Sequence, residues 1–318
     1  MADHIAHIPL SAQRARFQQL LALTAGLKPA TTAVVHPCDK ESLLGAIEAT
    51  RAGLIAPIFV APEKKLRVLA ESLAIDLTPY EWVRAAHSHD AAGKGVALVR
   101  AGRAEVLMKG SLHTDELMAE VVAKQTGLRT ARRISHVFIL DVPNYPRPLF
   151  MTDAAINIAP SLRDKRDICQ NAIELAQALR IAIPKVAILS AVETINPDLP
   201  STVEAAALCK MAERGQITGG ILDGPLGFDN AISPEAALAK GINSMVAGQA
   251  DVLVVPDLEV GNMLAKQLQY LAGAQAAGIA LGARVPIVLT SRADSAFERH
   301  ASCAIALILA HHRHKSMP

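Results

Sequence analysis

Three observations predict an α/β fold with parallel strands. Short Val/Ile-rich runs alternate with longer stretches of helical period. Those runs are apolar throughout, as strands covered on both faces are. Several helical stretches also open with capping signatures. The chain has 318 residues, 51% of them hydrophobic, so it can bury a large core, and its length suits two domains of roughly 150 residues.

Strands are predicted at residues 31–36, 55–61, 105–109, 136–141, 186–190, 220–223, 251–255 and 286–291. The residue before each helix supplies the start signal. Ser161-x-x-Asp164 reads as a capping box and is followed by Ile168, Leu175 and Leu179 at helical spacing. Ser201-x-x-Glu204 reads the same way after a loop with two prolines, and Ser233-Pro234-Glu235 places a cap, a first-turn proline and an acid in order. Helices are expected over 115–123 and 263–272. The apolar tract from Tyr270 to Thr290 is broken by Gln275, Arg284 and Pro286, so it reads as helix, turn and buried strand rather than a membrane span. A last helix over 295–312 has an apolar face of Ala301, Ile305, Ile308 and Leu309. Packed back on the first part of the chain, it predicts a discontinuous domain of residues 1–143 plus 293–318 and a second domain of 144–292, with ligands in the cleft.

Composition narrows the function. Lys+Arg number 32 against 30 Asp+Glu, and aromatics are 3%, which offers nucleic acid neither a basic footprint nor a stacking platform. The four cysteines, Cys38, Cys169, Cys209 and Cys303, lie far apart without zinc or redox spacing, as expected of reduced core thiols rather than disulfides. Met1-Ala2-Asp3-His4 opens no signal peptide. A soluble, cytoplasmic protein is expected. Neither Gly-x-Gly-x-x-Gly nor Gly-x4-Gly-Lys-Ser/Thr occurs, so dinucleotide and P-loop readings lose their main support.

Four segments fall where strands end. Lys109-Gly110-Ser111-Leu112-His113-Thr114 precedes a helix whose N–H groups suit an anion; alternatively Gly110 makes a turn and Ser111 or Thr114 caps the helix. Asp223-Gly224-Pro225-Leu226-Gly227-Phe228-Asp229 offers two carboxylates to a ligand or only turn chemistry. Pro256-Asp257-Leu258-Glu259-Val260-Gly261-Asn262 presents another helix start, with Asp257 or Asn262 as ligand contact or cap. Thr290-Ser291-Arg292-Ala293-Asp294 carries a guanidinium fork fitted to phosphate, with Asp294 and Glu298 on one helical face; the alternative is an ion pair with Ser295 or Asp294 as cap. No carboxylate or histidine set completes a metal site. His311-His312-Arg313-His314-Lys315 reads as cations at a helix end.

Taken in order, Gly110-Ser-Leu-His113-Thr114, Asp223-Gly-Pro-Leu226 with Asp229, Val246-Ala-Gly248-x-Ala-Asp251, Pro256-Asp257-Leu-x-x-Gly261-Asn262 and Ser291-Arg292 resemble the phosphate acetyl/butyryltransferase family. The likeness runs from about Ala104 to Ala304. It implies two αβα domains flanking a cleft, like isocitrate/isopropylmalate dehydrogenases, and a homodimer. It also implies coenzyme A and phosphate as substrates, with no tightly bound cofactor. In that family a Ser-Arg pair holds the phosphoryl end, here Ser291 and Arg292, and an Asp seven residues after the Ser is the proposed base. This chain has Glu298 there, leaving the base open between Glu298 and Asp294, with Glu298 preferred. Thr-Ser-Arg-Ala-Asp and Asp-Gly-Pro-Leu are worded more like the butyryl branch, a slight lean to a longer acyl group. With a thiol near pKa 8.5 and an ordinary Glu near about 4.3, a catalytic Glu298 is expected to be partly desolvated. An NAD(P)-dependent dehydrogenase of similar fold, or a non-catalytic acyl-phosphate/CoA sensor, are the rival readings.

Overall fold

The computed structural model describes residues 15–289 and 294–316. Thr290, Ser291, Arg292 and Ala293, on which the phosphoryl-gripping expectation rests, lie outside them. In chain order the elements are α1 (Ala15–Ala22), β1 (Ala30–Val35), α2 (Lys40–Arg51), β2 (Ile55–Ala61), α3 (Glu63–Ser72), β3 (Glu81–Arg84), α4 (Ser88–Arg100) and β4 (Val106–Lys109). Next come α5 (Thr114–Val121), β5 (Ser135–Asp141), β6 (Leu149–Thr152), α6 (Leu162–Ala178), β7 (Lys185–Leu189), α7 (Pro200–Glu213) and β8 (Ile221–Leu226). The chain continues through α8 (Phe228–Ile232), α9 (Pro234–Ala239), β9 (Val252–Val254), α10 (Leu258–Tyr270), β10 (Gln275–Leu281), β11 (Ile287–Val288) and α11 (Ala296–Ser316).

The chain forms two compact units: Thr24–Val137 with the chain from Ala277 onward, and Phe138–Ala276 with the segment up to Leu23. The first unit orders its strands β3-β2-β1-β4-β11-β10, parallel except where β10 meets β11 antiparallel at Ala280 and Ile287. The second orders β5-β6-β9-β7-β8, with β6, β9, β7 and β8 parallel. Parallel neighbours put all their carboxyl ends on one edge, and the loops leaving that edge lead into helices.

Each of the eight predicted strands has a counterpart, the last seen only as Ile287–Val288 because residues 290 and 291 lie outside the described residues. β3, β6 and β10 were not predicted. β10 corrects the reading of 270–281 as helix: Gln-Ala-Ala-Gly-Ile-Ala-Leu is poor in β-branched residues, yet it is buried beyond its first residue, and burial overrides propensity. Helix α11 forms as expected, its Ala301, Ile305, Ile308 and Leu309 all buried. The core of the second unit gathers Leu140, Met151, Ala187, Leu226, Leu253 and Ala265 around its sheet. At one edge of that unit, the Arg16 guanidinium pairs with the buried Asp141 carboxylate at 3.1 Å.

Capping follows the sequence in two places. Ser161 and Asp164 make the full reciprocal box at α6, and Ser233 accepts from the Ala236 N–H ahead of Pro234. The third expectation fails. Helix α7 starts at Pro200 with Leu199 in the cap position, so Ser201 is already inside it. Its hydroxyl lies 2.8 Å from that of Ser190, and Glu204 pairs with Lys165.

Every cysteine is buried or half-buried. Burial pushes the Cys38 thiol up to about 11, and those of Cys169, Cys209 and Cys303 to about 12. No helix among the described residues is long and apolar enough to cross a membrane.

Candidate active site

In the first unit, β1 and β4 run side by side with Val35 opposite Lys109, so the loops after them leave together. Their pairing continues past the strands. The Gly110 N–H donates to the Val35 carbonyl at 2.8 Å and the Ser111 N–H to the His36 carbonyl at 2.9 Å. A Cβ on Gly110 would stand 2.5 Å from both carbonyl oxygens, which is why this position has none. Those two N–H groups are therefore committed to backbone and are not offered to an anion. The first turn of α5 follows. Its N-cap residue is the exposed His113, whose side chain makes no capping bond, and neither Ser111 nor Thr114 caps the helix.

Around this turn, Glu116 accepts from the Ser88 side chain and the His113 N–H, which hold its carboxyl below the ordinary range, and stands 3.7 Å from His89. The Lys109 amine is buried and donates to the carbonyls of Gly110 and Leu112, at 3.2 and 3.1 Å. The buried Lys109 amine and the start of α5 thus share one loop.

In the second unit, Asp257 is the α10 cap, accepting from the Val260 N–H at 2.9 Å, so the cap alternative holds for it. Gly261 is buried, and a Cβ there would stand 2.9 Å from the Asp153 carbonyl oxygen, which is why the position has none. The exposed Asn262 reaches back to the Ala154 carbonyl at 3.4 Å. Gly261 and Asn262 thus hold α10 against the segment after β6. At its centre sits Asp153, which the sequence reading missed: its buried carboxyl accepts from the N–H groups of Ala155, Ile156 and Asn157. Burial raises its pKa despite those donors. Asp223 accepts from the Gly224 N–H at 2.8 Å, as in a turn, and the exposed Asp229 pairs with Lys240 at 3.1 Å, whose donation lowers its pKa.

Beside Asp257 opens a cavity of about 850 Å³, lined by Leu189, Ser190, Leu199, Phe228, Val260 and Met263, among others. The Lys165–Glu204 pair sits in its wall, the amine almost wholly buried. Neither residue was singled out as functional. Glu204 was visible only as half of a capping signature, and Lys165 sits in an otherwise ordinary amphipathic helix.

At the start of α11, the Ser295 N–H donates to Glu298 at 2.7 Å and the Glu298 N–H to the Ser295 hydroxyl at 3.2 Å. This reciprocal cap fixes where the Glu298 carboxylate points. Asp294 immediately precedes it. Among the described residues no group of three or more His, Cys, Asp or Glu is placed to hold a metal ion.

Largely parallel strands whose carboxyl ends feed helix N-termini, in both units, define an α/β protein. Comparison with known proteins narrows the class. The family described as "Phosphate acetyl/butaryl transferase" matches residues 80–307. A phosphate acetyltransferase of Rhizobium meliloti is 64% identical over 302 residues, covering 95% of this chain and 96% of its own. A phosphate butyryltransferase of Clostridium acetobutylicum is 38% identical over 294 residues, covering 92% and 98%. A crystal structure of a branched-chain phosphotransacylase from Enterococcus faecalis superposes with a TM-score of 0.77 at 31% identity, covering 88% of this chain and 99% of that one. The chain belongs to the phosphate acetyl/butyryltransferase family.

Proposed function

We propose that this protein is a phosphate acyltransferase that interconverts acyl-CoA plus phosphate with acyl phosphate plus CoA, acetyl being its preferred acyl group. One observation carries the reading: 64% identity to a phosphate acetyltransferase across nearly the whole of both chains. The motif wording leans to the butyryl branch, but identity over 302 residues outweighs a handful of positions. A dehydrogenase is not favoured.

In the proposed mechanism the CoA thiol attacks the acyl-phosphate carbonyl, a tetrahedral oxyanion forms, and phosphate leaves; the reverse runs through the same state. No covalent enzyme intermediate is needed. Ser291 and Arg292 grip the phosphoryl group, and the first turn of α5, from Thr114 onward, adds N–H donors to it beside the His113 side chain. Glu298, aimed by its cap, takes the thiol proton, with Asp294 as the alternative base. Asp223, Asp229, Asp257, Gly261 and Asn262 shape the substrate-bearing loops of the second unit. Holding two substrates in register contributes more than the base, since effective molarity can lower a barrier by roughly 7–11 kcal/mol at its upper range.

The finer fold reading belongs to the same proposal: two αβα domains of the isocitrate/isopropylmalate dehydrogenase kind with a cleft. So do a cytoplasmic location and a homodimer, the latter supported by exposed apolar side chains on the second unit, including Ile158, Val203, Val260 and Met263.

The test is thiol release from acetyl-, propionyl- and butyryl-CoA, followed with a disulfide reagent, with and without phosphate. Phosphate-dependent release that is fastest with acetyl-CoA is expected, and Arg292→Ala should raise the KM for phosphate while lowering turnover. No phosphate-dependent release would leave only a binding protein. A higher kcat/KM with butyryl-CoA would move the acyl assignment to the longer chain.

A further inference from the structure

One residue near the α5 edge has no role in this account. His36 follows β1 with a left-handed backbone, φ 53°, which a non-glycine residue adopts only where its surroundings hold it. It is buried, and its Nδ1 lies 3.0 Å from the Ser111 hydroxyl. That hydroxyl is also 2.9 Å from the His36 carbonyl and accepts from the Cys38 N–H at 3.2 Å. The Ser111 N–H binds the same carbonyl. Ser111 is thus held from the β1 side through both backbone and side chain.

The proton count works in either of two ways. With Nδ1 bare, the hydroxyl proton goes to the ring. With Nδ1 protonated, the ring donates to the hydroxyl oxygen, whose own proton goes to the His36 carbonyl. In both arrangements the imidazole fixes the Ser111 side chain, and with it the loop that delivers the first turn of α5.

We propose that His36 is a positioning residue for the phosphate subsite: its ring clamps Ser111 and so sets the geometry of residues 110–114, without touching substrate. The proposal rests on the reading that this loop holds the phosphoryl end. The left-handed backbone limits which polar residues could rebuild the clamp. Asn tolerates that conformation and carries an amide near the Nδ1 position, whereas Ala offers no partner at all.

The experiment compares His36→Ala, His36→Asn, Ser111→Ala and the His36→Ala/Ser111→Ala double variant by steady-state kinetics, with a thermal midpoint for each. His36→Ala should raise the KM for phosphate roughly 3–10-fold, the value of one lost hydrogen bond, with the KM for acyl-CoA within about twofold of wild type. His36→Asn should recover most of the loss. The double variant should be no worse than Ser111→Ala alone, because a residue that acts through another adds nothing once that partner is gone. Multiplying effects in the double variant, or parallel rises in both KM values, would overturn the clamp. So would a His36→Ala protein that melts early yet keeps its phosphate KM. If Ser111→Ala leaves the phosphate KM unchanged, the loop reading falls and His36 with it; if only His36→Ala is silent, the loop reading stands alone.

Discussion

Replacing Gly110 by alanine should be among the costliest single-methyl additions in this protein. The new Cβ would stand 2.5 Å from the carbonyl oxygens of Val35 and His36 and 2.6 Å from the His36 carbonyl carbon. An ordinary carbon–oxygen contact is about 3.3–3.6 Å, so the ends of β1 and β4 would have to part by close to an ångström. The obstructing atoms are backbone, and no rotamer change relieves them. Parting also stretches the Gly110–Val35 and Ser111–His36 hydrogen bonds, now 2.8 and 2.9 Å. Overpacking costs about 1–3 kcal/mol, and two weakened bonds add about 0.5–1.5 kcal/mol each at most. A total near 3 kcal/mol would lower the melting temperature by roughly 6–12 °C in a unit of this size. Differential scanning fluorimetry measures that shift, and the disulfide-reagent assay reads the phosphate KM, which should rise because the clamp on Ser111 loosens. A variant that melts within about 1 °C of wild type with an unchanged phosphate KM would refute the close approach and the reasoning built on it.

His136 is fully buried, and burial lowers its pKa from the usual 6.5 to about 4. The folded state therefore holds fewer protons than the unfolded state between those values, so the contribution is complete above pH 6.5 and lost as pH falls toward 4; it amounts to about 3 kcal/mol. Urea denaturation of wild type and His136→Asn across pH 4.5–7 should show a shallower acid slope in the variant, and equal slopes would contradict this. Ser161→Ala removes one half of the α6 capping box and should cost about 1 kcal/mol. An equal loss in Asp164→Ala, with the double variant well short of the sum, is the expected result in the same experiment.

The strands that could be read from the sequence are those rich in valine and isoleucine and buried on both faces. β3 escaped because Glu-Trp-Val-Arg is short and half exposed at the sheet edge, where no apolar run is needed. β6 is hidden behind Pro143, Pro146 and Pro148, which announce a loop. β10 is spelled in alanine and glycine, residues that suit close packing but carry no strand propensity. Several helix starts after strands were legible because they have a local signature. Asp153 and His36 were not, since their meaning lies in partners brought together by folding: a carboxyl among its own following N–H groups, and an imidazole against a serine 75 positions away. Ser201 shows the opposite error, a capping pattern that a proline one residue earlier had already superseded.

The four buried or half-buried thiols have a chemical consequence in a protein proposed to handle free CoA. With pKa values pushed to about 11 or 12, well under one in a thousand is a thiolate at neutral pH, whereas an ordinary thiol near 8.5 is a few per cent ionised. Thiol–disulfide exchange runs through the thiolate, so oxidised CoA or a colorimetric disulfide will react with released CoA long before it reaches the protein. The fold thereby keeps its own sulfur out of the exchange chemistry that its product enters freely.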